Sequence, residues 1–160
     1  MNKELAGQIH GLSDADAIAA LTLVLDLEEG TAQDLAELQA DQARLPEAFA
    51  TTPDLGEVAT PESGATDGDL ARAALVYLAE DDATSQLVSQ AVSRPRRPGQ
   101  RDPLTFAVGG LILLALKSDV QLKRTASGKW SFSYRLKPTK DSALGSILAK
   151  LWGLYGGGNG

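Results

Sequence analysis

Nucleophilic catalysis by a Ser-His-Asp set would have to run through His10, the only histidine in 160 residues. It stands beside Gly11 in a weakly patterned stretch and reads as a surface histidine near a helix end. Cysteine is absent, which removes thiolate nucleophiles, disulfides and thiolate metal sites. The carboxylate pairs Asp14-x-Asp16 and Asp67-x-Asp69 open like calcium loops, but such a loop needs glycine at its sixth position and glutamate at its twelfth. Counting from Asp14 gives Ala19 and Leu25, and counting from Asp67 gives Arg72 and Leu78. Glu28-Glu29 and Glu80-Asp81-Asp82 read as solvated helix boundaries. Gly109-Gly110 lacks the surrounding pattern of a phosphate-cradling loop and reads as a place where another element packs closely. No catalytic, cofactor-binding or metal-ligating residue is assigned, and no cofactor is expected.

Cations form the other candidate site. Arg94, Arg96, Arg97 and Arg101, together with Lys123, Lys129, Arg135 and Lys137, compose a candidate interaction surface. Such a surface could hold a polyanion, with an affinity that falls steeply with salt. The rest of the chain argues for competition: residues 1 to 93 carry three basic against eighteen acidic residues, and residues 94 to 160 carry twelve against three. The net charge of −6 therefore divides into about −15 and +9. An asymmetry of that size bears on partners and association rather than on fold. Trp130, Phe132, Tyr134, Trp152 and Tyr155 lie among the C-terminal lysines, and interleaved rings and cations can be a nucleic-acid surface. Here the alternation puts the hairpin rings on one face and the cations on the other, so core packing is favoured.

The elements that must position these groups are legible in the chain. Ser13 can cap a helix with Asp16 in its first turn, and Ile18, Leu21, Val24 and Leu25 continue it to Glu28-Glu29-Gly30. Thr31 and Asp34 repeat the cap, with Leu35, Leu38 and Leu45 before Pro46. Residues 51 to 68 have linker composition, with Pro53, Gly56, Pro61, Gly64 and Gly68, and an irregular excursion is expected there. Short helices follow over 69 to 79 and from 82 or 84 to 93. The Pro/Arg break at 94 to 101 precedes a strong helix start at Asp102-Pro103, and the apolar run Leu104 to Leu116 continues it. Thirteen residues span roughly 20 Å as a helix, too short for a bilayer core, so the run reads as buried. Period-two alternation over 119 to 124 and 129 to 137, joined by Thr125-Ala-Ser-Gly128, predicts an antiparallel hairpin. Val120, Leu122, Trp130, Phe132, Tyr134 and Leu136 form its apolar face. Lys123, Lys129, Arg135, Lys137, Ser131 and Ser133 form the other. A last helix carries Leu144, Ile147, Leu148, Leu151, Trp152 and Tyr155 on one face, before a glycine-rich tail at 156 to 160.

The predicted fold class is α+β, an N-terminal acidic helical lobe plus a C-terminal α-β-β-α unit with an antiparallel hairpin. Its segments are an acidic helical part (1 to 50), a flexible linker (51 to 68), a helical pair (69 to 93), a Pro/Arg linker (94 to 101), the αββα unit (102 to 155) and a tail. The N-terminus lacks the apolar core of a secretory signal, and a cytoplasmic location is expected. The expected function is a non-catalytic protein-interaction module, an adaptor, regulator or assembly protein. It would act through a protein partner or self-association at the hairpin edge and by acidic/basic complementarity. The alternative is a protein that binds a polyanion, nucleic acid or an anionic surface, through the basic C-terminal unit, with nucleic acid less favoured than a protein partner.

Overall fold

Apolar periodicity and caps set the first half of the chain. A computed structural model describes residues 3–29, 35–52, 55–93, 108–116 and 119–156. Helix α1 (Lys3–His10) buries Leu5 and Ile9, one turn apart on one face. Helix α2 (Asp14–Glu29) starts as its sequence requires, the Asp16 amide donating to Ser13 Oγ at 3.2 Å. Its buried residues, Ala17, Ile18, Ala20, Leu21, Val24 and Leu25, cover more than one stripe, so the helix is enclosed by neighbours rather than lying at the surface.

Helix α3 (Leu35–Thr51) does not stop before Pro46, as its sequence suggests; it continues through the proline for another turn. Proline removes one amide donor from the ladder. Burial of Leu45, Ala48 and Phe49 on both sides of it offsets that loss. The region 51 to 68 is irregular over 59–66, as its composition suggests, but it also holds a short helix. Helix α4 (Leu55–Val58) buries Leu55 and Val58, Ala59 is buried beside them, and the Glu62 amide donates to the Ala149 carbonyl. Three apolar side chains and one long-range backbone bond suffice to fix a segment whose overall composition is that of a linker.

Helix α5 (Asp67–Ala79) begins two residues before the predicted start. Thr66 and Asp69 form a reciprocal capping box, each side chain accepting from the other's backbone amide. Helix α6 (Asp82–Ser93) follows. Helix α7 (Val108–Ala115) is buried along nearly its whole length, as a short, uniformly apolar run demands. The predicted start of that helix at Asp102-Pro103 lies outside the described residues, as does the Pro/Arg segment at 94 to 101.

Strands β1 (Val120–Arg124) and β2 (Trp130–Tyr134) pair antiparallel with Leu122 opposite Phe132, and Gly128 takes a φ of 84° in the connecting turn. Helix α8 (Ala143–Tyr155) is capped by Ser142, whose Oγ accepts from the Gly145 amide at 3.0 Å. The architecture is α+β: eight helices and one hairpin among the described residues. Helix α2 packs against α5, α6 and α7, while α3 packs against α7, β2 and α8. The acidic helices thus contact the hairpin and the last helix directly. No described helix is long and apolar enough to cross a membrane.

Candidate hairpin interface

The hairpin register decides which backbone groups it offers. Arg135 N–H donates to the Asp119 carbonyl and Thr125 N–H to the Lys129 carbonyl, so Gln121–Ser133 and Lys123–Ser131 are the pairs that exchange ladder bonds. The amides of residues 120, 122, 124, 130, 132 and 134 therefore point outward, away from the partner strand.

On the β2 side, α3 meets them. Trp130 N–H donates to Glu47 Oε2 at 3.2 Å and Phe132 N–H to Thr52 Oγ1 at 2.8 Å. The Thr52 hydroxyl in turn donates to the Ala48 carbonyl at 2.6 Å. A helix side chain thus covers an edge that would otherwise await another strand. Replacing Thr52 by valine keeps the shape but leaves the buried Phe132 amide without an acceptor. It should lower folding stability by about 1–3 kcal/mol in urea denaturation.

Phe49 of α3 sets the ring face. Its ring lies 4.8 Å from Phe132 in an edge-on arrangement and 5.6 Å from Trp152, nearly parallel at 6°. Trp130 is flanked by two guanidinium groups, Arg44 at 4.3 Å and Arg124 at 5.3 Å from its ring centroid. Arg124 thus belongs to the ring face, as its parity with Val120 and Leu122 in the sequence already implied. Leu136, assigned to that face by alternation, lies beyond the end of β2 and is 75% exposed. Ser131, assigned to the solvent face, is instead nearly buried opposite Lys123.

The proposed cationic surface divides. Arg94, Arg96, Arg97 and Arg101 lie outside the described residues. Lys123, Lys129, Arg135 and Lys137 are exposed on or next to the hairpin. Lys137 Nζ is 2.7 Å from Glu57 Oε2, and Arg135 Nε is 3.8 Å from Asp119 Oδ1 while its side chain stays 71% exposed. Lys123 and Lys129 have no ion-pair partner among the described residues. Lys150, which charge counting left unassigned, lies 3.4 Å from Glu62 Oε1 and 3.1 Å from Ser146 Oγ.

The carboxylate pairs have structural duties. Asp14 and Asp69 converge on Arg72, at 2.9 and 2.5 Å, and Arg72 also donates to the Leu12 carbonyl. The Arg72 hydrogen bond, aided by the Thr66 amide, holds the Asp69 carboxyl below its usual range. With His10, Ser146 and Lys150, Asp69 and Arg72 line a cleft of about 270 Å³ in which both Arg72 and Lys150 already face carboxylates. Among the described residues, no group of three potential ligands is gathered in a way that could hold a metal ion.

Tyr155 Oη donates to Asp67 Oδ1. Burial first, and this bond second, raise the phenol above its ordinary value of 10.0; burial alone raises Tyr134. A folded-state value above the unfolded one means that the stability Tyr155 contributes is complete below about pH 10 and is lost as pH rises beyond it. The expected result is a stability decline above that pH that is shallower in Tyr155→Phe. Ultraviolet titration should place Tyr134 and Tyr155 above the ordinary phenol range.

No known protein family, curated protein or solved structure matches the chain.

Proposed function

We propose that the chain is a non-catalytic protein-interaction module that presents its hairpin to a protein partner, with the acidic helices as brace and second surface. The observation that carries this reading is the division of the hairpin's two sides. One face and one edge are held by α3 through Phe49, Glu47 and Thr52. The opposite face shows Lys123 and Lys129, both exposed and without ion-pair partners among the described residues. A braced strand pair with unpaired charge is a pre-organised recognition element, because little conformational entropy remains to be lost on binding. The internal pairs Glu57–Lys137 and Glu62–Lys150 consume part of the basic charge, and the net charge of −6 opposes a nucleic-acid backbone.

The test uses the full chain as bait in crosslinking, beside the triple variant Lys123→Glu, Lys129→Glu, Arg135→Glu and a control reversal at exposed Glu80→Lys. Capture of the same protein by wild type and control, and its loss in the triple variant, is the expected result. Salt-sensitive binding of single-stranded DNA or RNA by the wild type, abolished in the triple variant, would replace this reading with polyanion binding.

A further inference from the structure

The two edges of the hairpin are not equivalent. The outward amides of Trp130 and Phe132 are taken by α3. On β1, the Val120 amide returns to the Leu116 carbonyl, but those of Leu122 and Arg124 have no partner among the described residues. Beside that strand runs a cleft of about 430 Å³, floored by Leu38, Leu113, Leu114, Leu122 and Trp130. Glu37 and Asp41 stand on its α3 rim, and Asp41 is held by Arg44 at 2.9 Å.

We propose that the outer edge of β1 and its adjacent cleft dock an extended, acidic segment of another protein, which adds to the hairpin as a third strand. This rests on the interaction-module reading and names the chemistry of the partner. Successive outward strand amides with their neighbouring carbonyls are matched in register by extended backbone. Because the Leu122 and Arg124 amides point outward, the partner residue opposite Leu122 projects onto the ring face and into the cleft, so it is apolar. The residue opposite Lys123 projects onto the solvent face and meets an uncompensated cation, so it is acidic. On the cleft side Arg44 is already paired with Asp41 and Glu37 adds a further carboxylate, so an acidic group gains less there than beside Lys123, which makes alternation, not net charge, the recognised feature. A second copy of β1 fits this edge poorly. Antiparallel pairing centred on Leu122 sets Lys123 opposite Gln121 and Arg124 opposite Val120 of the second copy, so neither cation meets a carboxylate.

The experiment measures fluorescence anisotropy of a short labelled peptide of alternating valine and glutamate against the full chain. Two comparison peptides are an alternating valine-lysine peptide and one with the same valines and glutamates in blocks. Amide hydrogen exchange is read at Leu122 and Arg124. The alternating acidic peptide should bind, slow exchange at those two amides, and lose roughly tenfold in affinity in Lys123→Glu. Arg124→Pro deletes one outward donor without touching the ladder to β2 and should weaken binding at least as much. Arg124→Gln keeps the donor and should stay within about threefold of wild type. If Arg124→Pro does not melt as a folded protein, the Lys123→Glu, Arg124→Gln and exchange results decide. No binding at millimolar peptide, equal binding of the block or lysine peptide, or exchange protection elsewhere overturns the proposal. If the hairpin-dependent capture of a protein persists after such a failure, the module reading stands and strand addition alone is lost. If capture fails as well, both are lost.

Discussion

Alanine in place of Phe49 is expected to lower folding stability by about 3–5 kcal/mol, measured by urea or thermal unfolding. The ring is 4% exposed and touches Phe132 of β2 on one side and Trp152 of α8 on the other. Removing it opens a cavity where three elements meet, and neither neighbouring ring can turn to fill it without leaving its own packing. Aromatic pairs add about 0.5–1.5 kcal/mol beyond buried area, and two such pairs disappear together. A small domain is stable by only about 5–15 kcal/mol, so the loss is a large share of the total. The change should also speed exchange at the Phe132 amide, because Thr52 directly follows the end of α3 and holds that amide only while α3 stays seated. A variant with wild-type melting would mean that α3 is not the brace of the hairpin.

Gly110→Leu should be the most damaging single change in α7, with a loss of about 3 kcal/mol or more, or failure to fold. A Cβ at this position falls on the carbonyl oxygen of Leu38, and lies 2.8 Å from the Leu38 Cα. The obstacle is backbone of α3, which cannot rotate away as a side chain could. Neighbouring Gly109 differs in kind: its nearest obstacles are the Gln42 and Leu45 side chains at 3.0 Å. Gly109→Ala should therefore cost less than Gly110→Ala in the same unfolding assay. Part of that smaller cost comes from displacing Gln42 Oε1, which accepts the Gly109 amide at 2.8 Å.

Much of the fold was written in local pattern. The Ser13 cap, the hairpin and its turn, the broad apolar face of the last helix and the close approach at the glycine pair follow from period, cap and turn chemistry, each acting over a few residues. The charge division between residues 1 to 93 and 94 to 160 is likewise a property of the chain alone. Long-range contacts decided the rest. Pro46 sits inside a helix because Leu45, Ala48 and Phe49 are buried around it, and Leu55, Val58 and Ala59 find a core that their glycine-rich surroundings do not announce. Period two cannot tell where a strand ends, so Leu136 continued the pattern in sequence and stands exposed in space.

The candidate site divides along the same line. That Lys123 and Lys129 share a face is fixed by alternation, and so is the placement of Arg124 among the rings. Which edge of the hairpin is left open among the described residues is not, because it depends on Glu47 and Thr52 arriving from eighty or more residues away to satisfy the Trp130 and Phe132 amides. Hydrogen bonds of that span leave no periodic trace in the chain. The sequence determined that this protein carries a two-faced, charge-divided hairpin; only the tertiary structure decided that one edge is closed from α3 and that the other, among the described residues, runs beside a cleft of mixed apolar and charged lining.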